Sequence, residues 1–129
     1  VVERTPDVAE QLALTIAAGL PAGPDDAEWR ASWRAVLAAG FELDQRHDVQ
    51  HIYHRQVNLY TGILENGAQD RAFSLRSPAR DIAMTLMAME DYLGYRIVAR
   101  DPDMLRGTAL RLMRGYAELA TGAQLPVTE

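Results

Sequence analysis

The sequence predicts an all-α domain, and three observations carry that prediction. Good helix formers dominate: alanine, leucine, methionine, arginine and glutamate recur throughout the chain. β-Branched residues never form the alternating run that marks a half-buried strand. Glycine and proline fall at intervals that divide the chain into five stretches of helical length, each with apolar residues at helical spacing. The chain has 129 residues, which makes one domain. A domain of that size buries roughly two-thirds of the surface of its unfolded chain, enough for a core without staples.

The five helices are expected at about 6–18, 26–39, 45–66, 78–98 and 102–121. The first opens on Thr5 as N-cap with Pro6 behind it, where a missing N–H does no harm. It runs to about Ala18 and stops at Gly19. Asp25 is expected to cap the second, with Glu28 as its capping-box partner. This helix carries Trp29, Trp33, Val36 and Leu37 and ends near Gly40. The third begins near Asp44, with Gly67 as its natural C-cap. Ser77-Pro78 opens the fourth and Asp101-Pro102 the fifth, so three of the five share one device, a capping side chain followed by proline.

The last two helices are apolar over an unusually wide arc. Ile82, Leu86, Met89, Leu93 and Ile97 form one stripe of the fourth, and Ala83, Met84, Met87 and Ala88 widen it. On the fifth, Leu105, Ala109, Leu112, Tyr116 and Leu119 line one face, and Leu110, Met113, Ala117 and Ala120 a second. A surface helix needs only one apolar stripe. Two such helices are expected to pack on the rest of the domain and on a second subunit as well.

Composition excludes several classes of function. There is no cysteine, which rules out disulfides, thiolate metal sites and thiol catalysis. All 13 basic residues are arginine, the net charge is −5 and the pI is about 5.1. This segment therefore lacks the clustered positive charge that a nucleic-acid surface needs. No apolar run approaches the ~20 residues of a membrane span. The opening "VVERTP" carries no targeting pattern, and a position inside a longer cytoplasmic protein is expected.

The histidines invite a metal reading. His47, His51 and His54 are the only three in the chain, and the H-x3-H-x2-H spacing puts them on one side of a helix. With His51 at zero and about 100° per residue, His47 falls near −40° and His54 near −60°. Val49, Ile52, Tyr53, Val57, Leu59, Tyr60, Ile63 and Leu64 fall almost opposite, between roughly +80° and +240°. The histidines therefore belong to a solvated face, and no metal site or other cofactor is expected. No catalytic constellation appears either: there is no H-E-x-x-H, no E-x-x-H pair, no nucleophile elbow and no Gly-rich phosphate loop. Glu90 and Asp91 interrupt the apolar run of the fourth helix. As sequence neighbours they point about 100° apart, which argues against a shared catalytic pair. One of them is expected to face a cavity or an interface, opposite Arg111 or Arg114. Trp29 and Trp33, Tyr53 and Tyr60, and Met84, Met87 and Met89 could together line an apolar cavity with indole and phenol handles.

From "WRASW" onward the chain resembles the C-terminal domain of TetR-family transcriptional regulators. Trp29 to Trp33 resembles the family's aromatic-rich helix at the ligand cavity. "ILENGAQDRAF", residues 63–73, resembles its helix end, with an apolar pair, a glycine, a polar spacer and a phenylalanine. "ARDIAMTLMAMEDYLGYRI", residues 79–97, resembles the following helix, although Tyr92 stands in the step Asp91-Tyr92-Leu93 where glycine is usual. The resemblance spans about residues 25–122 and does not include the family's N-terminal helix-turn-helix. It implies a five-helix orthogonal/antiparallel bundle that binds a small effector and forms a homodimer. DNA contact would come only through a helix-turn-helix segment absent from this chain. The implied ligand-binding residues are Trp29, Trp33, Tyr53, Val57, Tyr60, Met84, Met87 and Asp91. The implied dimer interface, a four-helix bundle of the last two helices across a two-fold axis, uses Leu86, Leu93, Leu105, Ala109, Leu112, Met113 and Tyr116. The expected protein is a regulator's effector domain and not an enzyme; the alternative is a freestanding helical-bundle enzyme or carrier for an apolar small molecule.

Overall fold

The structure is a computed structural model, and it describes residues 6–41 and 46–129. Five helices run in order: α1 Val8–Gly19, α2 Ala27–Gly40, α3 Arg46–Gln69, α4 Ala79–Val98 and α5 Arg106–Thr121. No strand occurs among the described residues, so the fold is all-α. No helix among them is long and apolar enough to cross a membrane. α3 and α4 form the most extensive helix pair; α1 packs on α3, and α5 packs on α4 and α1. Leu12, Ile16, Tyr60, Leu64, Ile82, Leu86, Ile97 and Met113 are fully enclosed where these four helices meet. α2 is different. It leans on α3 and α4 and buries none of its residues completely, so it forms a wall and not part of the core.

The helix starts differ from expectation in instructive ways. Asp7, not Thr5, caps α1, its carboxylate accepting from the Glu10 N–H at 2.8 Å; Thr5 lies outside the described residues. Asp26, not Asp25, caps α2. One of its oxygens accepts from Trp29 N–H at 3.0 Å and the other from Ala22 N–H at 2.8 Å. These two backbone donors hold its carboxyl below the usual carboxylate range. Asp25 instead pairs with Arg100 at the surface. Pro78 itself occupies the α4 N-cap and no side chain caps that end. Asp101-Pro102 does not open α5 but closes a turn. The Asp101 carboxylate accepts from Asp103 N–H and Arg96 Nε, at 2.9 and 2.7 Å, and α5 begins only at Arg106.

The end of α3 corrects another expectation. Gly67 is not the C-cap; the helix continues to Gln69, and the left-handed turn falls at Arg71, φ 61°. Gly67 is needed for packing. A Cβ there would lie 2.1 Å from the ring of Phe73, which is buried and folds back over it. Downstream, Ser74 and Arg76 donate their N–H groups to the Thr121 and Ala120 carbonyls, satisfying the last turn of α5. Gly122, φ 70°, ends that helix in the left-handed conformation.

Arg106 ties the two ends of the fold together. Its guanidinium donates to the carbonyls of Ala17, Leu20 and Pro21 at 3.1, 3.1 and 2.9 Å. A cation is thereby seated at the C-terminal end of α1, where the helix dipole favours it.

The wide apolar arcs resolve into two zones. On α4, Ile82, Ala83, Leu86, Met87, Leu93 and Ile97 are buried, while Met84, Tyr92 and Tyr95 are exposed on the opposite side. On α5, Ala109, Leu110, Met113, Ala117 and Ala120 are buried, and Leu105, Leu112 and Leu119 are exposed, with Tyr116 half-buried between. Four residues expected at a dimer interface, Leu86, Leu93, Ala109 and Met113, thus lie inside the protomer's own core. Helical phase explains it: they point along the centre of the arc, into the protomer, whereas Leu105, Leu112, Leu119 and Tyr116 occupy its edge.

Candidate functional site

A cavity of about 220 Å³ lies between the C-terminal end of α1, the inner face of α2, the first half of α3 and the middle of α4. Each element contributes for a local reason. α1 ends at Gly19, and the absence of a side chain there leaves room for the Glu90 carboxyl, which a Cβ would approach to 2.2 Å. On α2, Trp29 and Trp33 stand one turn apart, with ring centroids 5.9 Å apart and planes tilted by 31°. Trp29 is fixed at both ends. Its Nε1–H donates to the Gly19 carbonyl at 2.9 Å. Its six-membered ring fills the notch left by Gly94, where a Cβ would lie 2.3 Å from it. Trp33 Nε1 is buried and has no hydrogen-bond partner among the described residues. Tyr53, Ile52 and Gln56 line the cavity from α3, and Met87, Glu90 and Asp91 from α4.

The electrostatics are one-sided. Glu90 is only 7 % exposed, and its single hydrogen bond among the described residues comes from the buried Tyr60 hydroxyl, which donates to Oε2 at 2.8 Å. Burial pushes the Glu90 carboxyl up to about 7; the Tyr60 hydrogen bond works against that shift, and the neighbouring Asp91 charge adds to it. Burial likewise lifts Asp91 to about 6. Tyr60 is driven far above its ordinary value by burial and then by Glu90. Burial and then the Asp91 charge also push Tyr53 upward. Among the described residues, no arginine, lysine or histidine lines the cavity.

Of the residues expected to bind ligand, Trp29, Trp33, Tyr53, Met87 and Asp91 converge on this cavity. Tyr60 lies behind its wall and reaches it through Glu90. Val57 is in the core. Met84 is 53 % exposed on the outer face of α4 and does not take part. The carboxylates differ from expectation: both Glu90 and Asp91 line the cavity, and neither faces Arg111 or Arg114. Arg111 is exposed, and Arg114 borders a separate groove beside the C-terminal segment. Sequence reasoning left Glu90 out of the site, although a signal was available. On the α4 wheel, with Ile82 at zero and about 100° per residue, Glu90 falls near 80°, between Ile97 and Ala83 and inside the apolar arc from Ile82 to Met87, so it had to point inward. His51 and His54 are exposed, and no metal-binding cluster of acidic or histidine residues occurs among the described residues; the His47 side chain lies outside them.

No family model matches this chain, nor does any curated protein or solved structure.

Proposed function

We propose that this is the effector-binding and dimerisation domain of a TetR-like transcriptional regulator, acting in the cytoplasm. The observation that carries the reading is the cavity among α1–α4, walled by two tryptophans and a tyrosine and furnished with polar groups that have few partners. Such a site binds a small molecule and leaves the rest of the surface free for assembly. The exposed rows on α4 and α5 supply the assembly surface: Met84, Tyr92 and Tyr95 on one helix, Leu105, Leu112 and Leu119 on the other. Exposed apolar residues repeated along two helices that pack on each other offer such a surface. Two copies related by a two-fold axis would bury it in a four-helix bundle. Ligand in the cavity would bear on α1 and α2, and a DNA-binding segment outside this chain would read that displacement through differential affinity for two conformations.

Light scattering should give about twice 14.3 kDa for the isolated chain. A monomer at high micromolar concentration would defeat the dimer reading. A reading frame upstream of Val1 that encodes a helix-turn-helix would support regulation of DNA binding; one that encodes something else would remove it.

One observation favours a second reading. Glu90, held near pH 7 beside Asp91 at a cavity, has the properties of a general acid–base. An enzyme or carrier acting on an apolar small molecule uses the same residues. Turnover of a bound ligand, absent under the first reading, would select it.

A further inference from the structure

The cavity's charge is what its ligand must answer. Two carboxyl groups line it, one of them more than nine-tenths buried, and among the described residues no cationic side chain lines it beside them. Among the described residues, α1 offers Ala18 and Gly19, α2 its indoles, Ser32 and Val36, and α3 Ile52, Tyr53 and Gln56. A buried carboxylate without a cation is costly, and protonation is the ordinary escape. Here Glu90 has a single hydroxyl donor, and Asp91 has no hydrogen bond or ion pair among the described residues. Beside them stand the aromatic faces of Trp29, Trp33 and Tyr53, which attract cations through the ring quadrupole. An anion would meet both carboxyl groups and no compensating charge. A neutral apolar body would strip water from the carboxyls and return nothing.

Resting on the reading of this cavity as the ligand site, we propose that its ligand is an organic monocation with an apolar body, the positive charge seated against Glu90 and Asp91 and the body between Trp29, Trp33 and Tyr53. The space holds about seven waters at ~30 Å³ each, which suits a single ring with a short ammonium arm. The unpartnered Trp33 Nε1–H favours a ligand that also carries a hydrogen-bond acceptor. One charge is the fitting number, because burial keeps Glu90 partly protonated near neutral pH and a second cationic centre would lack a partner.

Three probes of matched shape test this by isothermal titration, with tryptophan fluorescence as a second readout. They are phenethyltrimethylammonium, its uncharged isostere with carbon in place of the quaternary nitrogen, and the carboxylate phenylbutyrate. The cation should bind at least about tenfold more tightly than the isostere, equivalent to about 1.4 kcal/mol, and the carboxylate weakest of the three. Glu90→Gln and Asp91→Asn should each erode that preference, chiefly by weakening binding of the cation. Asp91 is the less buried of the two, so its variant stays informative if Glu90→Gln folds poorly. Equal binding of cation and isostere, or an undiminished preference in both variants, would overturn the charge assignment while leaving a ligand cavity in place. Failure of all three probes to bind would overturn the cavity reading along with it.

Discussion

Replacing Glu90 by glutamine should make the stability of this domain less dependent on pH, and more so on the alkaline side. The carboxyl rises from an ordinary 4.5 to about 7 on folding, chiefly through burial. A folded-state value above the unfolded one means that the protonated form is the one folding favours. The contribution is therefore fully present below about 4.5 and is lost as pH climbs to about 7. At about 1.36 kcal/mol per pH unit, the loss is worth about 3 kcal/mol by pH 8. No solvent discount applies to a side chain this enclosed. Glutamine keeps the shape and can still accept the Tyr60 hydroxyl through its amide oxygen, but it does not ionise. Urea denaturation followed by circular dichroism at pH 5 and pH 8 reads the difference. The advantage of the variant should grow by about 2–3 kcal/mol between the two conditions. Asp91 titrates in both proteins, so its own fall largely cancels in the comparison. The other ionisable groups facing the site, Tyr53 and Tyr60, are pushed above their ordinary values and stay neutral in this window. A gap of the same size at both pH values would show that Glu90 is not held protonated by its surroundings.

Three further outcomes follow from the packing. Gly67→Ala gains up to about 1 kcal/mol of helix propensity but drives a methyl into Phe73, an overpacking cost of about 1–3 kcal/mol; it should lower the melting temperature, while Gly62→Ala, which meets nothing within 4 Å, should raise it. Arg106→Ala removes the donor to three carbonyls at the end of α1 and should cost about 2 kcal/mol in a denaturant titration; no loss would mean that water replaces the guanidinium freely. Leu112→Glu should leave each protomer folded and shift light scattering to a single chain of 14.3 kDa, whereas Met113→Glu, at a fully buried position, should unfold the domain and so report nothing about assembly.

The helices were legible in the sequence because their signals are local. Composition, period and punctuation put every element within a few residues of its place, the largest displacement being at α5. At α5 the Asp101 carboxylate is taken up by Arg96 and the Asp103 N–H, so the helix starts later; the choice of cap at α2 turns on something subtler. Adjacent candidates such as Asp25 and Asp26 are equivalent as letters, and backbone direction alone decides which carboxylate meets the free N–H groups. Gly67 was read as a turn because glycine at a helix end is usually there for its backbone. Its actual role depends on Phe73 returning over it, a contact set by the tight turn at Arg71 that no residue type announces. The cavity was partly legible for the same reason as the helices. Trp29 and Trp33 share a face by spacing, and wheel arithmetic sent His51 and His54 outward. Burial within a wide apolar arc was not legible, because period shows which side of α5 is apolar and not how much of it α1 and α4 cover. Leu112 and Met113 are neighbours in sequence; one lies on the rim of that coverage and the other beneath it.

The Arg106 clasp also bears on how the chain reaches its folded state. The guanidinium grips carbonyls 85 to 89 residues away in sequence. Helix pairs such as α3–α4 close short loops and can form early, but this contact requires nearly the whole chain to be gathered first. Contacts of such long separation slow folding and form late. A mutation at Arg106 should therefore speed unfolding while leaving the refolding rate nearly unchanged. The first helix would then be the first to peel away, taking with it the Gly19 end that closes one side of the cavity.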